Sequence, residues 1–158
     1  FGNLPYNIST PFLLSLTKIN QAMVDGVFMV QYEVAQRVVA TPGSKLYGRL
    51  SVALSRYFDA QLVLEVPKEA FDPPPKVHSA VIYMTPKPAR VIDANFEEVF
   101  NKVVTQAFSQ RRKMLRKIFA SEINEQQWAE LCIDATDRPE QLSPEDFERI
   151  THFIMSQQ

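Results

Sequence analysis

Asn3-Leu4-Pro5-Tyr6 has the residue types, in order, for chemistry on a poorly nucleophilic amine. The exocyclic nitrogen of adenine is such an amine, because its lone pair is delocalised into the ring. Acceptors aimed at its two N–H bonds favour the tetrahedral geometry in which that lone pair can attack a methyl group. The Asn3 side chain offers one carbonyl, the Leu4 backbone can offer the second, and Pro5 fixes the turn. Tyr6 can stack on an extruded base. No strong base is needed, since the amine becomes acidic once methylated. Asn-x-Pro-x is also ordinary turn chemistry, so the tetrapeptide alone decides nothing.

Two further groups of residues bear on it. In Phe71-Asp72-Pro73-Pro74-Pro75-Lys76-Val77-His78-Ser79-Ala80-Val81 an aromatic is followed by a stiff proline run and then a strand pattern. Phe71 could close the other face of a base stacked on Tyr6, or simply plug a loop. Between Val99 and Ser121 stand six basic residues (Lys102, Arg111, Arg112, Lys113, Arg116, Lys117) and no acid. At helical spacing Arg112 and Arg116 are four apart and share a face, as do Lys113 and Lys117, while Phe108, Leu115 and Phe119 turn away from it. Phosphate is the natural partner of such an island, and a solvated helix face is the plainer alternative.

The elements that must position these residues change character along the chain. Ser9-Thr10-Pro11 predicts a capped helix start with proline at the first helical position. Gly26–Val30, Leu62–Val66 and Val77–Met84 read as three strands, and apolar spacing at 34–39 and 50–57 reads as helices. This alternation is that of an open α/β sheet. Past Pro86-Lys87-Pro88 the period becomes helical. Phe96, Val99, Phe100, Val103, Val104 and Ala107 form one apolar face, and Leu115, Ile118 and Phe119 continue a second helix carrying the basic cluster. Ser143-Pro144-Glu145-Asp146 starts a last helix with Phe147, Ile150, Phe153 and Ile154 as its core face. The expected division is 1–87 and 88–158, an α/β part followed by a small all-helical domain.

Charge follows the same division: residues 1–89 carry +2 and residues 90–158 carry −3, so the basic island sits in an acidic half. At 46% hydrophobic and 22% charged, the chain is expected to build a packed core, and no apolar run is long enough to span a membrane. Cys132 is the only cysteine, which excludes an intrachain disulfide and argues against a zinc cluster or any metal site. Its apolar neighbours, Trp128 to Ile133, predict a buried structural thiol, and one unpaired thiol fits a cytoplasmic compartment. The opening residues show neither an initiator methionine nor a basic leader, and so read as an internal start. Three strands are few for a doubly wound sheet, and the four glycines (2, 26, 43 and 48) form no Gly-x-Gly loop. Both features predict an N-terminal half outside this sequence.

Gly2 to Ser9 and Phe71 to Ser79 resemble the fourth and eighth motifs of the rRNA adenine dimethyltransferases, of the bacterial small-subunit type. Tyr47-Gly48-Arg49-Leu50-Ser51-Val52, Phe108-Ser109-Gln110-Arg111-Arg112-Lys113 and Asp137-Arg138-Pro139-Glu140-Gln141-Leu142-Ser143 are similar to further blocks of that family, in the same order. The resemblance implies the C-terminal half of a Rossmann-like methyltransferase sheet followed by a helical rRNA-binding domain. It implies transfer of methyl groups from S-adenosylmethionine to two adjacent adenosines near the 3′ end of small-subunit rRNA during ribosome assembly. Asn3, Leu4, Pro5, Tyr6 and Phe71 would form the catalytic site, with Asn3 also bordering the methyl donor. Arg111, Arg112, Lys113, Arg116 and Lys117 would bind rRNA phosphates. The family's glycine-rich donor loop and acidic donor ligands have no counterpart here, so this chain alone is expected to be inactive. Two alternatives remain at this level: a non-catalytic RNA-binding or assembly fragment, and a large-subunit rRNA methyltransferase of the erythromycin-resistance type.

Overall fold

A computed structural model describes residues 1–88 and 93–157, and divides the chain into two compact units. The first comprises residues 1–41 and 53–89, the second 42–52 and 90–158.

The first unit is built on a mixed four-stranded sheet in the order β1-β2-β4-β3. β1 (Gly2–Asn3) runs parallel to β2 (Gly26–Gln31), while β4 (Ser79–Pro86) pairs antiparallel with both β2 and β3 (Phe58–Val66). Period-two patterning sets which face is buried: Phe28 and Val30 of β2 and Ala80, Ile82 and Met84 of β4 all point into the core. α1 (Ser9–Ser15) and α2 (Tyr32–Val38) contribute Leu13, Ala35 and Val38 to that core, and Phe12 meets Phe28 edge-on at 5.7 Å. A bulge between Leu62 and Leu64 breaks the alternation of β3, leaving Val63 and Leu64 exposed.

Two expectations change here. β1 takes in Asn3, the first residue of the tetrapeptide that the sequence presents as a turn; two residues are too few to show alternation, and only pairing with β2 makes them a strand. Neither the Ser9 nor the Thr10 hydroxyl caps α1. Ile8 is the cap residue, Ser9 Oγ donates to the Pro5 carbonyl at 3.0 Å, and Pro11 is the third helical residue. Its missing N–H is still one that the first turn leaves without an intrahelical partner.

The second unit is helical: α4 (Ala94–Ser109), α5 (Leu115–Ile118), α6 (Glu125–Glu130) and α7 (Pro144–Ser156). α4 and α7 pack through Val99, Phe100, Val103, Val104 and Ala107 on one side and Phe147, Ile150 and Thr151 on the other. Phe153 and Ile154, expected in this core, are half-buried. The stretch 42–52 belongs to this unit, where the sequence division placed it with the sheet. Tyr47 is buried edge-on to Phe108 at 6.2 Å, and the Gly43 N–H donates to the Glu140 carbonyl at 2.6 Å. These contacts join residues some 60 to 100 apart in sequence, beyond the reach of local patterning. α3 (Arg49–Ser55) is divided between the units after Val52.

The basic residues are also placed differently. α4 ends at Ser109, residues 110–114 form a turn, and α5 is one short turn from Leu115 to Ile118. Arg111, Arg112 and Lys113 therefore sit in the turn, not on a common helix face with Arg116 and Lys117. Cys132 is exposed rather than buried. It follows the C-terminal end of α6 with φ of +53°, the left-handed conformation that ends helices, and this turns its side chain out of the apolar patch.

Two predictions follow from the helix ends. Cys132→Gly raises stability by about 0.5–1 kcal/mol in thermal unfolding, the roughly 1–2 kcal/mol left-handed penalty less the extra backbone entropy of glycine. At the start of α7, Ser143 and Asp146 form a reciprocal capping box, with the Ser143 N–H donating to Asp146 Oδ2 at 2.8 Å. Burial raises the pKa of the Asp146 carboxyl, but hydrogen bonds from Ser143 and Arg149 outweigh it and hold the carboxyl below its ordinary value. The stabilisation is thus present above the unfolded pKa of about 3.9 and lost as pH falls through the lower folded value. Asp146→Asn destabilises by about 0.5–2 kcal/mol at neutral pH, and the gap to the parent narrows as denaturation is followed below pH ~4.

Candidate active site

A cleft of about 330 Å³ opens at the end of the sheet where β1 and β2 finish and β4 begins, within the usual size of ligand sites, roughly 300–1,000 Å³. Asn3, Leu4, Pro5, Tyr6 and Phe71 line it together, with Met29, Pro73, Pro75 and Ser79. The carboxyl ends of parallel strands are where open α/β sheets place their ligands.

Local bonding decides which groups face the cleft free-handed. The Leu4 N–H donates to the Met29 carbonyl at 3.0 Å, extending the β1–β2 pairing by one bond. The Pro5 carbonyl accepts twice, from the Ile8 N–H at 3.1 Å and from Ser9 Oγ at 3.0 Å. Among the described residues, no donor meets the Leu4 carbonyl and no partner meets the Asn3 carboxamide. Two oxygens on adjacent residues are therefore available to an incoming N–H group, and the next carbonyl is not.

The aromatic pair comes from segments 65 residues apart. Tyr6 is 37% exposed, and its phenol is tied to Ser79 Oγ at 2.9 Å, so the ring is accessible but anchored. Ser79 is itself buried at the first position of β4. Phe71 is half-buried on extended backbone beside the proline run, whose Asp72–Pro73 peptide is cis. Sequence reasoning missed Met29 and the anchoring role of Ser79. The signal for Met29 is only its register opposite Asn3; that for Ser79 is its place at the end of the Phe71 block, where loop becomes strand.

The basic residues belong to the second unit. Arg112, Lys113, Arg116 and Lys117 are exposed. Lys102, on α4, pairs with Glu98 at 2.6 Å, and Arg111 is drawn into an ion pair with Glu140 at 2.7 Å. Among the described residues, no group of three or more His, Cys, Asp or Glu could hold a metal, and no helix is long and apolar enough to cross a membrane.

The mixed four-stranded sheet with its helices is a Rossmann-like fold, and solved structures agree on it. The chain is similar to the crystal structure of a dimethyladenosine transferase from Plasmodium falciparum, with a TM-score of 0.77 and 24% identity over 94% of this chain and 63% of that one. It is similar to the 23S rRNA methyltransferase ErmE with a TM-score of 0.66 and 17% identity, over 98% of this chain and 64% of that one. The family model of the ribosomal RNA adenine dimethylases matches residues 1–156, and the chain belongs to that family. Its relatives include proteins named ribosomal RNA small subunit methyltransferase A. That of Dechloromonas aromatica is 46% identical over 97% of this chain, and that of Aeromonas hydrophila 46% over all of it. The chain spans 60% and 58% of the length of these two relatives.

The Tyr6–Ser79 bond yields a direct test. Tyr6→Phe and Ser79→Ala each destabilise by about 1 kcal/mol in denaturant unfolding, and the double variant costs less than the sum, because both remove the same bond. Additive losses would show that the two hydroxyls are not coupled.

Proposed function

We propose that the complete protein dimethylates two adjacent adenosines near the 3′ end of small-subunit rRNA during ribosome assembly, in the cytoplasm, using S-adenosylmethionine. The observation that carries this reading is the pairing of two open acceptors, Asn3 Oδ1 and the Leu4 carbonyl, with two aromatics on one cleft. Membership of the ribosomal RNA adenine dimethylase family supports the reaction class. Relatives named for the small subunit, 42–46% identical, favour that substrate over the large-subunit alternative.

The residues on the cleft fit the methyl acceptor better than the donor. Apart from Asn3, the lining offers apolar and aromatic side chains and one hydroxyl already engaged with Tyr6. None of the four glycines makes a cradle against which a ligand's phosphate or carboxylate could lie: Gly2 is in β1, and an added Cβ there would meet only Leu4 and Phe28 at ordinary distances. Asn3 would border S-adenosylmethionine, and the rest of its site would come from elsewhere in the complete protein. The cofactor supplies an electrophilic methyl group.

What this chain's residues do follows from their chemistry. Tyr6 and Phe71 sandwich an adenine that has left its helical context, replacing lost base stacking. Asn3 Oδ1 and the Leu4 carbonyl accept from the two amine hydrogens and so turn the nitrogen lone pair outward. Pro5 holds those acceptors in place, its own carbonyl occupied by Ile8 and Ser9. The second unit binds phosphates through its exposed arginines and lysines, giving salt-dependent association with a slope of roughly −0.7 to −0.9 per contact.

Methyl transfer by the full-length protein to unmethylated ribosomal subunits tests this. The label is expected in small-subunit rRNA; label in large-subunit rRNA would reassign the substrate. With base–aromatic stacking worth roughly 1–3 kcal/mol, Tyr6→Ala and Phe71→Ala each lower kcat/KM by about 5- to 150-fold. Unchanged rates in both variants would remove the sandwich from the mechanism.

A further inference from the structure

The cations of the second unit fall into two kinds. The Arg111 guanidinium is already committed. Its Nε donates to Glu140 Oε2 at 2.7 Å and its Nη2 donates to the Lys45 carbonyl, while the Glu140 carbonyl accepts from the Gly43 N–H. One Arg–Glu pair therefore holds together three separate stretches: residues 43–45, the basic turn 110–113, and the 3₁₀ turn Pro139–Gln141. The fork of an arginine suits this, since it can serve a carboxylate and a carbonyl at once where a lysine offers a single point charge. By contrast, among the described residues Lys45, Arg112, Lys113 and Lys117 are exposed and carry no ion pair. Arg116 lies near enough to Asp134 to help lower that carboxyl's pKa, after the stronger effect of Thr136.

Held in this way, Lys45 is delivered from a distant part of the sequence to the edge of the basic turn. Gly43, with φ of +88°, turns the chain just before it, and the buried Tyr47 anchors it just after. The geometry points to a composite phosphate-binding surface. Lys45 is a ligand alongside Arg112 and Lys113, and Arg111 is a positioning residue that builds the surface through Glu140 rather than a phosphate ligand. This inference rests on the RNA-binding reading of the second unit and adds to it a residue, Lys45, and a changed role for Arg111.

The sign of one substitution separates the two roles of Arg111. Glu140→Gln removes a negative charge and releases the guanidinium. A phosphate-binding Arg111 would then bind RNA more tightly and with a steeper salt dependence; a positioning Arg111 would lose its hold on Lys45, and binding would weaken. The experiment measures affinity of the full-length protein for a transcript spanning the 3′ end of small-subunit rRNA, across a salt series. Lys45→Gln is expected to reduce the slope of log K against log salt by about 0.7–0.9, one phosphate contact. In the Glu140→Gln background, Lys45→Gln is expected to have little further effect. Tighter binding by Glu140→Gln, or an unchanged slope for Lys45→Gln, overturns the inference. Arg112→Gln and Lys113→Gln test the underlying reading separately. If neither alters the slope, the second unit's RNA-binding role fails; if they alter it and Lys45→Gln does not, only the extension fails. Should Glu140→Gln not fold, as judged by its thermal transition, the Lys45→Gln slope decides alone.

Discussion

The candidate site depends on the register of β4 against β2. Ser79 stands opposite Gln31, so β4 begins where β2 ends, and β1 finishes at that same end of the sheet. This register brings a turn near residue 5 and a loop near residue 75 to a common cleft. A slip of one residue would reverse the burial of Ala80, Ile82 and Met84, moving an apolar row to the wrong face. Core packing and site assembly are thus set by the same pairing.

Ser79 joins the two requirements. As the first residue of β4 it is buried by the sheet, and its hydroxyl reaches the phenol of Tyr6. A buried hydroxyl needs a partner, and here the partner is the phenol hydroxyl of the tyrosine whose ring lines the cleft. The backbone of the tetrapeptide is arranged with similar economy. Meeting the Pro5 carbonyl twice and the Leu4 N–H once stabilises the turn, and it leaves the Leu4 carbonyl and the Asn3 side chain unmet within the described residues. Open acceptors beside an accessible aromatic are poor stabilisers and useful binders, and the proposed recognition of a base amine draws on that.

In the second unit, a long-range ion pair, rather than helical periodicity, fixes where Arg111 points. Reading residues 111–117 as one helix aligned Arg112 with Arg116 and Lys113 with Lys117. The end of α4 at Ser109 and the turn after it separate these residues, and Arg111 is turned inward toward Glu140 and Lys45. A side chain's charge can be counted from the sequence, but whether it is spent inside the molecule depends on what lies opposite. The exposure of Cys132 has the same origin: the apolar patch around it was real, with Trp128 and Ile133 buried, but a left-handed residue at the helix end points the thiol elsewhere.

The sequence by itself determined the elements whose patterns are local and long. The apolar faces of α4 and α7, the capped start at Ser143, and strands near 26–30, 62–66 and 77–84 all follow from spacing and hydrogen-bonding chemistry within one element. It also singled out Asn3-Leu4-Pro5-Tyr6 and Phe71 as candidates, because the amine recognition proposed for them needs particular residue types, and those are read directly. Tertiary structure alone decided that these segments share a cleft, that Ser79 anchors Tyr6, that Gly2–Asn3 is a strand, and that 42–52 belongs with the helices. Each of these rests on contacts between residues far apart in the chain. Such contacts are fixed by strand register, by burial and by the pairing of groups like Arg111 and Glu140, none of which leaves a periodic trace in the order of the residues.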